Sequence, residues 1–326
     1  MGAFNYLGKV FSNFLSNIHS LGKHRLEEDA FKTINKTFDI INNEISLNQI
    51  RKMFIEFYFE INKEVASEYS LELKYLRKQS DIPMIPYEQN KTIDGTIYAE
   101  YDSQEGLPFV LHRNKRLYFP KHWTLQDAKK QYRYFIEREN LLGGNFTTKA
   151  PHQYQSDTFR IEAGDILLDI GSAEGLVALD SIESTKKTIL YESDPIWFAP
   201  LKATFKPYMD KVEIINKLVG DKDGETSITL TSSLREFRND VFFVKMDIEG
   251  AEELVIKGNA DFFKTNKIKA ACCTYHNVLH YKNLKETFES WGYTTSSSDG
   301  YILCFMDKVF SPPYFRKGLI RATNIK

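Results

Sequence analysis

Apolar residues follow two different periods along the chain, and the change comes near residue 150. Before it, they recur at intervals of three and four residues, as on one face of a helix; Phe54, Phe57 and Ile61 are an example. From about Asp157 onwards, short, nearly continuous apolar runs alternate with segments long enough to form helices. Such runs are typical of buried parallel strands joined by helical crossovers. We therefore predict a helical and β-hairpin accessory region at 1–150 and an α/β domain with a C-terminal tail at 151–326.

The accessory region combines helical and β-rich parts. Residues 25–78 have the periodicity of helices, and two prolines mark residues 81–90 as a linker. The polar turn at 113–116 lies between two apolar runs, which predicts a hairpin. Thr124 is a favourable N-cap for the amphipathic segment that follows, and Gly143-Gly144 is expected to end that helix.

The first twenty residues show an amphipathic pattern. Phe4, Leu7, Phe11 and Ile18 lie at helical spacing, with polar residues opposite them. We interpret this segment as a helix that packs on the rest of the protein. Weak peripheral association with a membrane is the alternative, although Lys9 is the one cation in the body of the segment. No stretch approaches the roughly 20 apolar residues of a membrane span, so no transmembrane segment is expected.

Seven apolar runs after residue 157 are candidate strands. The last two are joined by Asp299-Gly300, a dipeptide typical of tight hairpins. The sequence thus predicts a mostly parallel seven-stranded sheet that ends in an antiparallel C-terminal hairpin. The runs are residues 166–170, 188–191, 212–215, 241–246, 268–274, 292–298 and 301–306.

Charge and cysteine content narrow the function classes. The formal net charge is -1, and no basic stripe is present, so a nucleic-acid partner is not expected. The three cysteines, of which Cys272 and Cys273 are adjacent, do not form a disulfide framework. Their apolar surroundings indicate small buried residues and fit a reducing cytoplasm, which is the predicted location.

A small-residue turn follows the first predicted strand. The residues Asp169, Gly171, Ser172, Ala173 and Gly175 form the pattern Asp-x-Gly-Ser-Ala-x-Gly. Residues with little or no side chain let a backbone approach a ligand closely. In open α/β sheets, nucleotide-like cofactors bind at this first strand-to-helix turn. The spacing differs from the G-x-G-x-x-G dinucleotide fingerprint, so we predict a cofactor site of another type; a purely structural turn is the alternative.

Two further strands end in carboxylates. The second ends at Glu192, with Asp194 two residues later, and either could accept the hydroxyls of a ribose. We choose Glu192 and keep Asp194 as the second choice. The fourth ends in Asp247 and Glu249, which suit proton abstraction from a hydroxyl or the binding of a cation. A solvated acidic turn is the alternative for this last pair.

These motifs occur in an order that resembles the FkbM family of methyltransferases. The similar segments are 169–175, 191–195, 220–224 and 244–252, and the resemblance covers about residues 150–307. It implies a Rossmann-like methyltransferase domain, S-adenosyl-L-methionine as the cofactor, and methyl transfer to hydroxyl oxygens of macrolides, glycolipids or surface sugars. Ala173 stands in the middle position of the small-residue motif, a mild departure from the family pattern.

Histidines and arginines complete the candidate site. His276 and His280 are four residues apart, but the metalloprotease pattern is absent and we predict no metal. His276 is instead the leading candidate base, with Asp247 and Glu249 positioning the acceptor. His152, Arg316 and Arg321 are predicted to bind the substrate, and the two arginines to do so from a tail after the last strand.

The sequence thus predicts an O-methyltransferase that acts on a hydroxyl of a sugar or surface-glycan precursor in polysaccharide biosynthesis. Methylation of a lipid or secondary metabolite is the nearest alternative. A non-catalytic scaffold that retains the fold is an alternative from a different class. The acceptor is expected to be a small molecule or glycan, and a homo-oligomer is left open.

Overall fold

The computed structural model describes residues 47–88, 97–143, 149–237, 239–307 and 310–325. The predicted amphipathic helix of Phe4 to Ile18, with its membrane-surface alternative, lies outside these residues, as does Gly144. Within them, no helix is both long enough and apolar enough to cross a membrane.

The chain divides into two compact units at a position that differs from the predicted boundary at 150. One unit extends to Met84 and includes Cys304–Phe315, and the other comprises Ile85–Leu303 and Arg316–Lys326. The hairpin region thus belongs with the sheet domain rather than with the preceding helices. A buried hydrogen bond from the Tyr118 amide to Thr204 Oγ1 (3.0 Å) is one of the contacts that hold it there.

The described helices of the first unit are α1 Leu47–Ile61, α2 Lys63–Glu68 and α3 Ser70–Lys78. The helical prediction for 25–78 is therefore confirmed over the described residues, with breaks at Asn62 and Tyr69. An aromatic cluster packs within this unit: Phe59 contacts Tyr69 edge-on, and Tyr69 stacks on Phe315 at 5.0 Å between ring centroids.

The second unit begins with a three-stranded antiparallel sheet, followed by a helix. The predicted hairpin is confirmed, and its turn residues Arg113 and Asn114 both have positive φ, as two-residue hairpin turns require. Thr124 caps the next helix through a capping box with Asp127. That helix does not extend to Gly143: it passes into a π-helix and ends at Asn140, which is left-handed.

A seven-stranded sheet forms the centre of this unit. Its order is β11-β14-β10-β9-β4-β5-β6, and the strands are parallel except β14, which runs antiparallel to both of its neighbours. Buried residues alternate between the two faces: Leu167 and Phe243 join one hydrophobic cluster, and Leu168 and Val244 join the other. The predicted Rossmann-like fold, with its mostly parallel seven-stranded sheet, is therefore confirmed. The strands are β4 Ile166–Ile170, β5 Lys187–Tyr191, β6 Val212–Ile215, β9 Val241–Met246, β10 Lys267–Cys273, β11 Thr294–Ser297 and β14 Leu319–Thr323.

The predicted second strand of the C-terminal hairpin was wrong. β11 pairs with Leu319–Thr323 and not with residues 301–306, of which only Ile302–Leu303 forms a strand, outside the large sheet. Arg321 interrupts the apolar pattern of Leu319–Thr323, so the sequence did not identify that segment as a buried strand. The last strand therefore lies in the segment that was predicted to be a tail after the sheet.

The remaining elements are shorter and lie around the two sheets. They are β1 Ala99–Asp102, β2 Leu107–His112, β3 Lys115–Tyr118, α4 Leu125–Arg133 with the π-helix Tyr134–Glu139, α5 Leu176–Ser181, α6 Pro195–Phe205, a 3₁₀ turn Lys206–Tyr208, β7 Leu218–Val219, β8 Ser227–Ile228, α7 Leu230–Ser233, α8 Glu252–Gly258, α9 Ala260–Thr265, α10 His280–Ser290, β12 Ile302–Leu303 and β13 Phe315–Arg316.

Candidate active site

The strand order reverses between β4 and β9. From β4 the chain proceeds outward to β5 and β6, and from β9 it proceeds to β10 on the other side. In open α/β sheets, ligands bind in the crevice at the carboxyl ends of the strands at such a switch point. The small-residue turn follows β4 and Asp247 follows β9, so two of the predicted motifs meet at this crevice.

The small-residue turn fits closely against the end of β9. Gly171 has a φ of 75°, and a Cβ at this position would lie 2.0 Å from the carbonyl oxygen of Asp247. Gly175 has a φ of 80° and packs against Leu201 and Phe205 of α6. The glycines are thus required by packing within the protein. Ala173 also has a positive φ (45°).

A buried ion pair joins the same two strands. Lys245 Nζ lies 3.0 Å from Asp169 Oδ1 and also donates a hydrogen bond to the Gly171 carbonyl. Burial lowers the pKa of Lys245, but the charges of Asp169 and Asp247 outweigh burial, so the net pKa is raised and the ammonium form is stable. Burial raises the pKa of Asp169, opposed by Lys245.

Glu192 lies beside the small-residue turn, as predicted. Its carboxylate accepts hydrogen bonds from the Ala173 amide (2.8 Å) and the Asp194 amide (2.7 Å). Each carboxylate oxygen has a further lone pair for a ribose hydroxyl. Asp194 has a different role, since its carboxylate caps α6 by accepting from the Ile196 amide at 3.0 Å.

Asp247 lies between two histidines. Its Oδ2 is 3.4 Å from His152 Nε2 and accepts a 3.0 Å hydrogen bond from the Tyr154 hydroxyl, while its Oδ1 is 3.5 Å from His276 Nε2. Burial raises the pKa of Asp247, but His152, Lys245 and His276 together outweigh it and lower the net pKa well below its usual range. Asp247 is therefore an anion at neutral pH.

A fully buried glutamate, Glu252, contacts His276 at the ring nitrogen opposite the one that faces Asp247. His276 Nδ1 lies 3.1 Å from Glu252 Oε1, the oxygen that also accepts the Ile248 amide, and His276 Nε2 lies 3.6 Å from the exposed carboxylate of Glu249. Burial lowers the pKa of His276, but the contact with Glu252 and the charges of Asp247 and Glu249 raise it above its usual value overall. Asp247, Glu249 and His276 are thus brought together.

Two sets of donor atoms could hold a metal ion. They are His152, Asp247 and Cys273, and Asp247, Glu252 and His276, each with donor atoms within 4.8 Å of one another. In the second set, however, the two carboxylates face opposite nitrogens of the His276 ring. The metal-free site stays our prediction.

The predicted C-terminal tail is instead part of the folded domain, and both of its arginines are buried. Arg321 lies in β14, and its guanidinium donates to the Tyr154 carbonyl (3.2 Å) and the Gln153 carbonyl. Arg316 donates to the Tyr275 carbonyl at 2.8 Å. The two side chains thus hold the loops that carry His152 and His276.

One carboxyl group in the small-residue turn is buried. Glu174 is 5% exposed, and burial raises its pKa to about 8, opposed by its own backbone amide and by Lys245. Glu174 is therefore largely protonated at neutral pH.

Three of the residues around Asp247 were not predicted from the sequence as site residues. Tyr154 could have been found, since it lies two residues after His152 and alternate residues of an extended segment share a side. Glu139 is 3.5 Å from His152 Nδ1 and had no signal, because a π-helix breaks the helical period. Glu252 lies in the similar segment 244–252, but no role was predicted for it.

Comparison with known proteins gives matches in structure alone. No family model and no curated protein sequence matches the chain. Among solved structures, the FkbM methyltransferase of Methylobacillus flagellatus KT is similar at 18% identity and a TM-score of 0.41. The match covers 51% of this chain and 45% of that one, so this chain spans less than half the length of that protein.

Two other structures each match about half of the chain. A precorrin-6Y C5,15-methyltransferase of Geobacter metallireducens GS-15 is 13% identical, with 51% and 84% coverage and a TM-score of 0.34. A Streptococcus pneumoniae protein, proposed to be a tRNA (m1A22) methyltransferase and solved with S-adenosyl-L-methionine, is 13% identical, with 50% and 68% coverage and a TM-score of 0.32. At these identities the likeness concerns the fold alone.

The first prediction concerns the close contact between Gly171 and the Asp247 carbonyl. We expect Gly171→Ala to destabilise the protein by roughly 3 kcal/mol or more, because the added methyl group would meet the Asp247 carbonyl as well as straining the backbone. Gly164→Ala is the matched control: φ is 94°, but no atom lies within 4 Å of the added Cβ. Chemical denaturation measures both. Equal losses of unfolding free energy in the two variants would show that the contact with the Asp247 carbonyl tolerates the methyl group.

The second prediction concerns the pH dependence of stability. Glu174 takes up a proton on folding between its ordinary pKa of 4.5 and the folded value of about 8, so its contribution to the free energy of unfolding falls as pH rises through that window. Glu174→Gln should remove this fall. From pH 5.5 to 7.5 the variant should gain on the order of 2 kcal/mol relative to the parent, since each pH unit is worth about 1.4 kcal/mol.

Denaturation at several pH values measures this difference. Glu225→Gln, at an exposed position, is the control and should follow the parent. Parallel curves for Glu174→Gln and the parent would contradict a buried, protonated Glu174.

Proposed function

We propose that this protein is an S-adenosyl-L-methionine-dependent O-methyltransferase that acts on a hydroxyl of a sugar or surface-glycan precursor. The observation that carries the proposal is the ionised Asp247 carboxylate between two histidines, placed at the switch point beside the small-residue turn. A hydroxyl acceptor needs a group that removes its proton, and this arrangement offers acid–base groups at that place.

The turn and the neighbouring carboxylates fit the cofactor. Glu192 has free lone pairs at the end of the second strand, where a ribose would be held. The positive sulfonium would lie near the anionic end of β9, where Asp247 stays ionised. The cofactor supplies an activated methyl group, so the protein mainly aligns the acceptor oxygen with it and excludes water.

The acceptor hydroxyl would be oriented by Asp247 and Glu249 and deprotonated at His276 Nε2. An imidazolium cannot accept a proton, and the pKa of His276 is raised. His276 therefore acts as the base in its neutral form, and turnover should increase as pH rises through that pKa. After transfer, the imidazolium would be stabilised by Glu252, which contacts the opposite nitrogen at 3.1 Å.

Other acceptors are consistent with the same groups. A hydroxyl of a lipid or secondary metabolite would need the same base, so these acceptors are the nearest alternative. A non-catalytic scaffold is disfavoured by the concentration of ionised and buried acid–base groups at the crevice. The burial of Arg316 and Arg321 argues against a strongly anionic acceptor bound by these two side chains.

The third prediction concerns cofactor binding. S-adenosyl-L-methionine should bind and raise the melting temperature, and NAD should not. Glu192→Ala should weaken the affinity roughly tenfold or more by removing the ribose acceptor. Asp194→Ala is the matched control: it removes a helix cap and some stability but should leave the affinity near that of the parent. Calorimetry measures each. Affinity that depends on Asp194 and not on Glu192 would move the ribose contact to Asp194.

The fourth prediction concerns the acceptor. With methyl-labelled cofactor and a panel of neutral sugars, nucleotide sugars and glycan precursors, label should enter methyl ethers that survive alkaline hydrolysis. His276→Ala should lower turnover by roughly a hundredfold or more, whereas Asp261→Asn, on the exposed surface of α9, should not. Mass spectrometry of the hydrolysed sugars locates the label.

Several outcomes would contradict this assignment. Label in nitrogen, in RNA or in alkali-labile esters would exclude a sugar hydroxyl as the acceptor. Turnover that is sensitive to a chelator and survives the loss of His276 would replace the metal-free base with a carboxylate-bound metal ion.

A further inference from the structure

Glu139 reaches the active site from outside the strand-and-helix part of the domain. It is the last residue of the π-helix that follows α4, and its Oε2 lies 3.5 Å from Nδ1 of His152. The opposite nitrogen of the same ring, Nε2, is 3.4 Å from Asp247 Oδ2. The ring of His152 therefore joins Glu139 to the carboxylate on which the proposed chemistry depends.

The backbone around Glu139 has two uncommon features. The residues from Tyr134 to Glu139 form a π-helix, and Asn140 follows with a φ of 54°. π-Helices are rare and frequent at functional sites, and a left-handed non-glycine residue costs free energy that the surrounding structure must offset. Together they end the helix at Glu139, with its side chain at His152.

The partners of Glu139 differ from those of its neighbour Glu137. Glu137 is buried and contacts Arg133 Nη1 at 3.1 and 3.2 Å, one helical turn earlier. Glu139, by contrast, forms its one ion pair among the described residues with His152. A mostly buried carboxylate without a lysine or arginine partner is costly, which indicates that Glu139 serves the histidine rather than local helix stability.

The two ring nitrogens of His152 have different surroundings, and Glu139 is the ion-pair partner at Nδ1. Nε2 is surrounded by Asp247, the Tyr154 hydroxyl at 3.2 Å and Cys273 Sγ at 3.5 Å. A histidine ring can be fixed by the bond that its second nitrogen makes. A carboxylate oxygen at Nδ1 favours the hydrogen on that nitrogen and holds the plane of the ring, so that Nε2 faces Asp247.

We infer that Glu139 is a positioning residue: it holds the His152 imidazole through Nδ1, so that Nε2 stays directed at Asp247 Oδ2 and Oδ1 of the same carboxylate stays turned towards His276. The inference rests on the proposed function, in which Asp247 orients the hydroxyl that receives the methyl group. It gives residues 97–143 a direct part in building the site.

The experiment compares Glu139→Met, which removes the acceptor at similar length, with Glu139→Gln, which retains an acceptor oxygen. Glu137→Met is the matched control in the same π-helix. Nitrogen NMR of ¹⁵N-histidine-labelled protein reports which ring nitrogen of His152 carries hydrogen, with His152→Gln used to assign the signal. This readout needs no acceptor.

We expect Nδ1 of His152 to carry hydrogen in the parent and in Glu139→Gln, and to lose it in Glu139→Met. With the sugar that takes label in the acceptor assay, Glu139→Met should lower kcat roughly tenfold or more at little change in cofactor affinity, because a small misplacement of catalytic groups is costly. Glu139→Gln should recover most of that loss.

An unchanged Nδ1 signal in Glu139→Met, or the same change in Glu137→Met, would overturn the inference. If the parent transfers no methyl group to any acceptor, the proposed function fails, while the NMR comparison still decides whether Glu139 holds His152.

Discussion

The contact between the ends of β4 and β9 is the constraint on which the rest of the site depends. Gly171 leaves no room for a side chain against the Asp247 carbonyl, and Lys245 ties Asp169 and the Gly171 carbonyl together from the neighbouring strand. Because Asp169 and Lys245 are paired in register, this contact fixes the turn after β4 relative to the residue after β9. A cofactor in the turn and a base beside Asp247 are thereby placed at one edge of the sheet.

The electrostatics of the site follow from that placement. Five acid–base groups form a chain in the order Glu139, His152, Asp247, His276 and Glu252, in which each histidine lies between two carboxylates. Desolvation penalises every charge in the chain, but the alternation offsets much of the cost by pairing each anion with an imidazole. At the central carboxylate, burial is outweighed by its two histidine neighbours and by Lys245, so its pKa falls. At Glu139 burial dominates and the pKa is raised.

Much of the fold could be predicted from the sequence, because buried parallel strands are nearly continuous apolar runs. β4, β6 and β9 have the predicted bounds. β14 could not be identified, since Arg321 looks like a surface residue until the carbonyls that accept from it are in place. Among site residues, Asp247 and His276 could be placed because they follow strands, where parallel topology fixes the edge. Glu139 lies at the end of a π-helix. Because no sequence pattern predicts a π-helix, the direction of its side chain could not be predicted.

The arginines show how distant segments complete the site. Arg321 holds the carbonyls of the segment that contains Tyr154, and Arg316 holds the Tyr275 carbonyl next to His276. Both come from the last strands in the chain, whereas Glu139 comes from before the sheet. A loop that carries a histidine is flexible unless its backbone groups are bonded, and guanidinium groups with several donors are suited to that task. The acid–base chain is therefore ordered only when the early helix and the late antiparallel strand are both in place, which couples the formation of the site to the completion of the domain.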